Sequence, residues 1–247
     1  DFNVDRFAGL VIAGEAESPV VVDVETGVTK WGHIYLGWNT ALTSSLRHAV
    51  LNNGGGTDPD VGVVDVAPLG NTTDIAGPVI NHVTIRDSGA YGIRVDSYNN
   101  DPTPPSLSNL TVMGSQAAPL LLRAADAGGL GTGNTFTDNV TNTIQVFGGD
   151  IPYSQTWPLQ PVPYEVLDNL NIEGANTPVF TIAAGNTLLI HPDVYIDVGR
   201  PGLLIAQGTV TMPITFDAAD PARRWDKINF GWGSVPPTVT QATPMST

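Results

Sequence analysis

A chain of 247 residues with 24 Asp and Glu against 10 Lys and Arg carries a formal net charge of -14, which repels phosphate backbones and anionic lipid and so excludes nucleic acid and membrane surfaces as partners. The absence of cysteine removes disulfides and thiolate metal sites, and no run of 18 or more apolar residues is present for membrane insertion. Its 41% hydrophobic content suits a folded core, and 27 Gly and 20 Pro set between short apolar runs interrupt helices and favour many short strands. An all-β chain is therefore expected. No leader-like segment opens the chain at Asp1, so a processed form is expected.

In chain order, strand-length apolar runs fall at 10–13, 19–24 and 33–36, separated by the turn-rich EAES and ETGVTK. A further strand in SSLRHAVLNN leads to a Gly/Asp turn and then to VGVVDV at 61–66. The middle of the chain contains four segments that align without gaps: 81–95, 108–122, 133–147 and 168–182. Each opens a strand with Asn or His and starts a second strand ten residues later, as from His82 to Gly92 and from Asn109 to Pro119. Starts at 81, 108, 133 and 168 match one turn of a parallel β-helix, in which each coil buries its apolar residues by stacking on the next. The runs at 83–85, 110–112, 135–137 and 170–172 should then stack in one sheet, with His48, His82, Asn109, Asn134 and Asn169 as a ladder along the axis.

A longer repeat spans the whole chain. Residues 2–38 and 196–232 share ten identities at a constant offset of 194, among them Val4/Val198, Gly14/Gly208, Pro19/Pro213, Asp23/Asp217, Trp31/Trp225 and Trp38/Trp232. Average residue usage would give roughly two. The expected architecture is an all-β, right-handed parallel β-helix of about eight to ten coils over 1–233, followed by a Pro/Thr-rich tail at 234–247.

The stretch TLLIHPDVYIDVGRPGLLIAQGTVTMPITFDAADPARRWDKINFG (187–231) resembles a phrase common in bacterial secreted right-handed parallel β-helix proteins of the pectate-lyase-like fold, and the middle coils resemble that family's repeats. The resemblance implies the fold and not an activity, since members include polysaccharide lyases, hydrolases and non-catalytic surface proteins. Lyases of the family imply an Asp-built calcium site beneath a catalytic Arg or Lys; the cations in reach here are Arg86, Arg94, Arg223 and Arg224. Arg86 beside Asp87 reads more simply as a solvated ion pair. The hydrolase motifs NTD, DD and GHG are all missing. Glycoside hydrolysis needs two carboxylates at a set separation, for which Asp58 with Asp60 and Asp193 with Asp197 are the pairs to examine.

No catalytic, cofactor or metal residues are therefore assigned. TDPD at 57–60 has calcium-type ligands but reads as an exposed acidic turn, and His48 and His82 belong to the ladder. Trp31, Trp38, Trp225 and Trp232 suit either a sugar platform or packing at coil corners. Asn71, Asn109 and Asn139 head N-glycosylation sequons, Asn71 in the most loop-like setting. Phe2 and Val4 already read as strand with no cap before them, which joins them to the tryptophans as assembly candidates. The expected role is an extracellular or cell-surface structural solenoid that stacks on copies of itself or forms a repeat of a larger surface protein. The alternative is a carbohydrate-active protein on the same fold, a lyase-like enzyme or a glycan-binding module.

Overall fold

The computed structural model describes residues 1–4, 8–37, 44–67, 77–96 and 103–231, and the backbone of 238–240. Apart from one 3-10 turn at Ala127–Gly129, the regular structure of these residues is β, and every strand pairing between named strands is parallel. Contacts divide the chain into two compact units, 1–122 with 129–144, and 123–128 with 145–247.

The first unit contains β1 (Phe2–Val4), β2 (Val11–Ala13), β3 (Val20–Val22), β4 (Ile34–Leu36), β5 (Ser45–Asn52), β6 (Gly62–Val66), β7 (Val79–Arg86), β8 (Tyr91–Val95), β9 (Ser106–Ser108), β10 (Thr111–Met113), β11 (Leu120–Leu122) and β12 (Thr135–Thr137). β1, β4, β6, β8 and β11 form one sheet in that order, and β2, β5, β7, β10 and β12 a second. The alternation of the strands explains the core. Ile34, Val64 and Ile93 are register partners and fully buried, whereas Tyr35, Asp65 and Arg94 form the row on the opposite face.

The second sheet bends at two columns of left-handed residues. His48, His82, Asn109 and Gly133 open the four-residue stretches that Asn53, Asp87, Gly114 and Asp138 close, all with φ between 46° and 77°. Asn, Asp, His and Gly tolerate this region better than branched residues do, so each stretch is cut to the same length by its own sequence. Behind the second corner, buried Ser88 and Asn139 satisfy the turning backbone: the Ser88 hydroxyl accepts from Ala90 N, and Asn139 Oδ1 accepts from Ser115 N at 3.0 Å.

β13 (Ile144–Val146) precedes the strands of the second unit: β14 (Gly149–Asp150), β15 (Gln155–Trp157), β16 (Tyr164–Val166), β17 (Leu170–Ile172), β18 (Val179–Ile182), β19 (Thr187–Ile190), β20 (Ile196–Val198), β21 (Leu203–Gln207), β22 (Thr215–Ala218), β23 (Ile228–Phe230) and β24 (Thr238–Thr240). They form three rows: β16, β19 and β22; β14, β17, β20 and β23; and β15, β18, β21 and β24. The core includes Trp157, stacked on Tyr164 at 4.9 Å and edge-on to Phe180, all three fully buried. Burial raises the Tyr164 phenol well above its ordinary pKa, and its hydroxyl donates to the Pro158 carbonyl.

Three expectations change. Runs 83–85, 110–112 and 135–137 do share a sheet, but 170–172 does not join them. The chain turns sharply at Gly148 and Gly149, and the short β14 that results offers Leu170 and Asn171 a partner 21 residues back. Asn134 is also one residue off the ladder. The register sets Thr111 beside Thr135, so Gly133 holds the corner, where a Cβ would lie 2.2 Å from Asn109 Oδ1. Asn134 instead accepts from Leu110 N, and Asn169 likewise accepts from Tyr195 N, so these amides brace neighbouring backbone. Finally, Thr238–Thr240, within the stretch read as a tail, pair with β21.

Candidate functional site

The 194-residue repeat is reproduced bond for bond. Phe2 N donates to His33 O and Gly37 N to Val4 O; Ile196 N donates to Lys227 O and Gly231 N to Val198 O, the same four positions displaced by 194. The turn in which Glu15 N donates to Ser18 O recurs as Thr209 N to Met212 O. The Gly14/Gly208 identity has a steric cause, since a Cβ would meet Val20 N at 2.6 Å in one and Ile214 N at 2.8 Å in the other. Asp23 and Asp217 each cap the following amide, of Val24 and Ala218. Hydrogen bonds from the Asn53 side chain, Val24 N and the Asn52 side chain hold the Asp23 carboxyl below the usual aspartate range.

These two equivalent coils carry most of the exposed large apolar side chains among the described residues, although Val140 and Leu159 are exposed elsewhere. Phe2 faces the same way as the fully buried Ile34, yet it is 50% exposed; Phe230 faces the same way as the fully buried Val198, yet it is 39% exposed. Phe216 and Ala218 are half-buried where their partners Leu188 and Ile190 are sealed. In a stacked fold each coil covers the one before, so core-type residues at the edge of the described stack are less covered than their equivalents within it. Of the assembly candidates, Phe2, Val4 and Trp31 lie in the first coil, where Trp31 sits edge-on to Phe2 at 6.2 Å and donates its indole N–H to Asn52 O. Trp225 is half-buried in the last coil; Trp38 and Trp232 lie outside the described residues.

Three polar clusters merit chemical scrutiny. In the first unit Arg94 donates to Asp65 at 3.1 Å and to Asp96 at 2.9 Å. Burial pushes the Asp65 carboxyl, only 4% exposed, above the ordinary range, and the Arg94 charge works against that rise. In the second unit His191 Nε2 lies 2.7 Å from Glu165 Oε1, whose other oxygen accepts from Gln145. Also in the second unit, Asp150, Asn171, Asp197 and Asn229 form an outward row across β14, β17, β20 and β23, with Asn171 donating to Asp150 and Asn229 to Asp197. Tyr195, Asp197, Asp226, Lys227 and Asn229 line an open cleft of about 260 Å³ there. Asn229 engages Asp197 and Lys227 engages Asp226 at 3.2 Å, an arrangement suited to holding hydroxyl groups by exchange of these contacts.

The remaining sequence candidates are dispersed. Asp58 accepts from Asp60 N within its own turn, and Asp193 is held by Arg223 at 2.8 Å on the open surface. No group of three or more His, Cys, Asp or Glu among the described residues is arranged to hold a metal. His48 and His82 stack at 4.7 Å, as the ladder requires. Asn139 is buried, with its amide nitrogen donating to Val112 O and Asn142 Oδ1, so a glycan there would have to displace the bonds that close the corner. Asn109 is a half-buried corner residue packed over Gly133, and Asn71 lies outside the described residues. The Asp/Asn row escaped sequence reasoning because its members are 21, 26 and 32 residues apart; alternation within each short strand was the available signal. No family model, curated protein or solved structure matches this chain.

Proposed function

We propose that this chain is a structural β-solenoid of the extracellular space or cell surface, a right-handed β-helix of about eight to ten coils that associates head to tail with copies of itself or serves as one repeat of a larger surface protein. The parallel rows of five and four strands in the two units and the right-handed rule for parallel crossovers support the coil geometry. The observation that carries the function is the pairing of equivalent first and last coils with exposed core-type residues on both, Phe2 on one and Phe230 on the other. Covering each half-exposed ring would contribute on the order of 1 kcal/mol, before the neighbouring Ile228, Phe216 and Val4 are counted. A contact between two different faces of one chain leaves a free face at each end, and it propagates as a filament when the rotation between copies does not close a ring.

Light scattering over a concentration series, with electron microscopy of the concentrated sample, tests this. Unbranched filaments or growing oligomers are expected, and Phe2→Asp with Phe230→Asp should abolish them while the far-ultraviolet circular dichroism persists. A monodisperse monomer at the highest concentration would overturn the proposal.

The second reading, a glycan-binding module, is favoured by the cleft of Tyr195, Asp197, Asp226, Lys227 and Asn229. Retention of a polysaccharide by the native chain and its loss in Asp197→Ala would favour it.

A further inference from the structure

Resting on the head-to-tail reading, we propose that the partner at the last coil is the first coil of a second copy in one register only: Ile228 beside Phe2 of the next copy, Asn229 beside its Asn3, and Phe230 beside its Val4. Three independent constraints select this alignment.

The first is the backbone. Residues of a strand in a parallel sheet direct their N–H and C=O groups alternately to the two neighbours. Phe2 N and Val4 O are both committed to β4, so the Asn3 N–H and C=O point to the edge of β1 that is open among the described residues. Lys227 O and Gly231 N are committed to β20, which leaves the groups of Ile228 and Phe230 on the open edge of β23 among the described residues. Asn3 of the next copy can then donate to Ile228 O and accept from Phe230 N, which is the bridge that sets Asn3 beside Asn229. A slip by one residue points the donors of one strand away from the acceptors of the other.

The second is the alternation of side chains. Ile228 and Phe230 continue the inward columns of the buried Ile196 and Val198, and Phe2 and Val4 begin those of the buried Ile34 and Leu36. The same one-residue slip would set Asn3 of the next copy over the inward apolar column and its Phe2 and Val4 over the outward row.

The third is charge, and it discriminates against slips by two. In the proposed register Lys227 faces Asp1 of the next copy, a cation opposite a carboxylate, and Asn229 faces Asn3, so the row of Asp150, Asn171, Asp197 and Asn229 gains a fifth member and its third amide. A two-residue slip sets Lys227 beside Asn3, or Asn229 beside Asp1, and leaves one inward residue of each strand without a partner. The joint would also wall the cleft that Tyr195, Asp197, Asp226, Lys227 and Asn229 leave open at the last coil.

The chain has no cysteine, so introduced thiols report on the joint alone. Neighbouring strands lie about 4.8 Å apart, within disulfide range for residues directly opposite. Full-length Asn3→Cys/Asn229→Cys should give, on mild oxidation, a ladder of dimers, trimers and higher species on a non-reducing gel. Asp1→Cys/Asn229→Cys, which reports the two-residue slip, should give about tenfold less, and Asn3→Cys alone no species above dimer. Separately, Lys227→Asp should raise the concentration needed for assembly by about threefold, the scale of an exposed ion pair, with Asp1→Lys/Lys227→Asp restoring it. Equal or greater cross-linking through Asp1, in a wild-type chain that still assembles, overturns the register and leaves head-to-tail association standing. Absence of a ladder from both pairs in a wild-type chain that remains monomeric overturns the association itself.

Discussion

Asn139→Ala should destabilise the first unit by about 3 kcal/mol. The Asn139 amide makes three hydrogen bonds at the second left-handed corner: it accepts from Ser115 N at 3.0 Å and donates to Val112 O at 3.2 Å and to Asn142 Oδ1 at 3.0 Å. The side chain is 8% exposed, so water cannot readily replace it. Truncation leaves the Ser115 N–H orphaned, which costs about 1–3 kcal/mol, and removes a polar bond to Val112 besides, each typically worth about 1 kcal/mol. For a urea m-value of about 3 kcal/mol/M, the midpoint falls by about 1 M at unchanged slope. Far-ultraviolet circular dichroism in a urea series reads this, with Asn171→Ala as control, because the Asn171 bond to Asp150 is exposed and its loss should cost no more than about 0.5 kcal/mol. Equal midpoints for the two variants would refute the reasoning that Asn139 closes the corner as a structural amide.

Arg94→Ala should cost about 3 kcal/mol near neutral pH, since it strips the partner from a buried carboxylate. Asp65 already has a raised pKa from burial, and losing Arg94 raises it further; a group raised in the folded state contributes its stability at low pH and loses it as pH climbs through the folded value. The deficit measured by thermal unfolding should therefore shrink toward pH 4 and grow toward pH 7, and a deficit independent of pH would count against it. Gly14→Ala should cost about 2–3 kcal/mol, more than Gly208→Ala, because its methyl would meet His48 O at 2.3 Å where the nearest atom in the second copy is 2.8 Å away. Equal melting temperatures for the two variants would mean that the repeated turns relax alike.

The parts of the fold that read from sequence were those enforced by backbone geometry. The 194-residue repeat was visible because Gly14/Gly208 and Gly37/Gly231 occupy turns with the same hydrogen bonds, and the strand starts at 82 and 109 were visible because His82 and Asn109 adopt left-handed conformations that few residues accept. What sequence concealed depended on who pairs with whom. Asn134 looked equivalent to Asn109, but Gly133 was the corner, and a one-residue choice between adjacent Gly and Asn is invisible without the neighbouring coil. The second corner column was overlooked although Asn53, Asp87, Gly114 and Asp138 stand five residues after the first in every coil. The departure of 170–172 into another sheet and the Asp/Asn row on that sheet could not be read from within any one coil, because both depend on the pairing of β17 with β14 and β20.

The two corner columns act as a ruler. Between them the chain always spends four residues, while successive coils at that position are 34, 27 and 24 residues apart, from Ala49 to Val83, from Thr84 to Thr111 and from Thr111 to Thr135. All of the variation in coil length is therefore discharged on the other sides, and none of it alters the spacing along the stack. A foreign peptide spliced after Val66 or after Val95 should leave the four-residue stretches paired, whereas one extra residue between His82 and Asp87 would break the match of β7 to β5 and β10. Such a scaffold can diversify in girth indefinitely at constant pitch, so sequence drift among its loops would be poor evidence about whether two such chains still fit together.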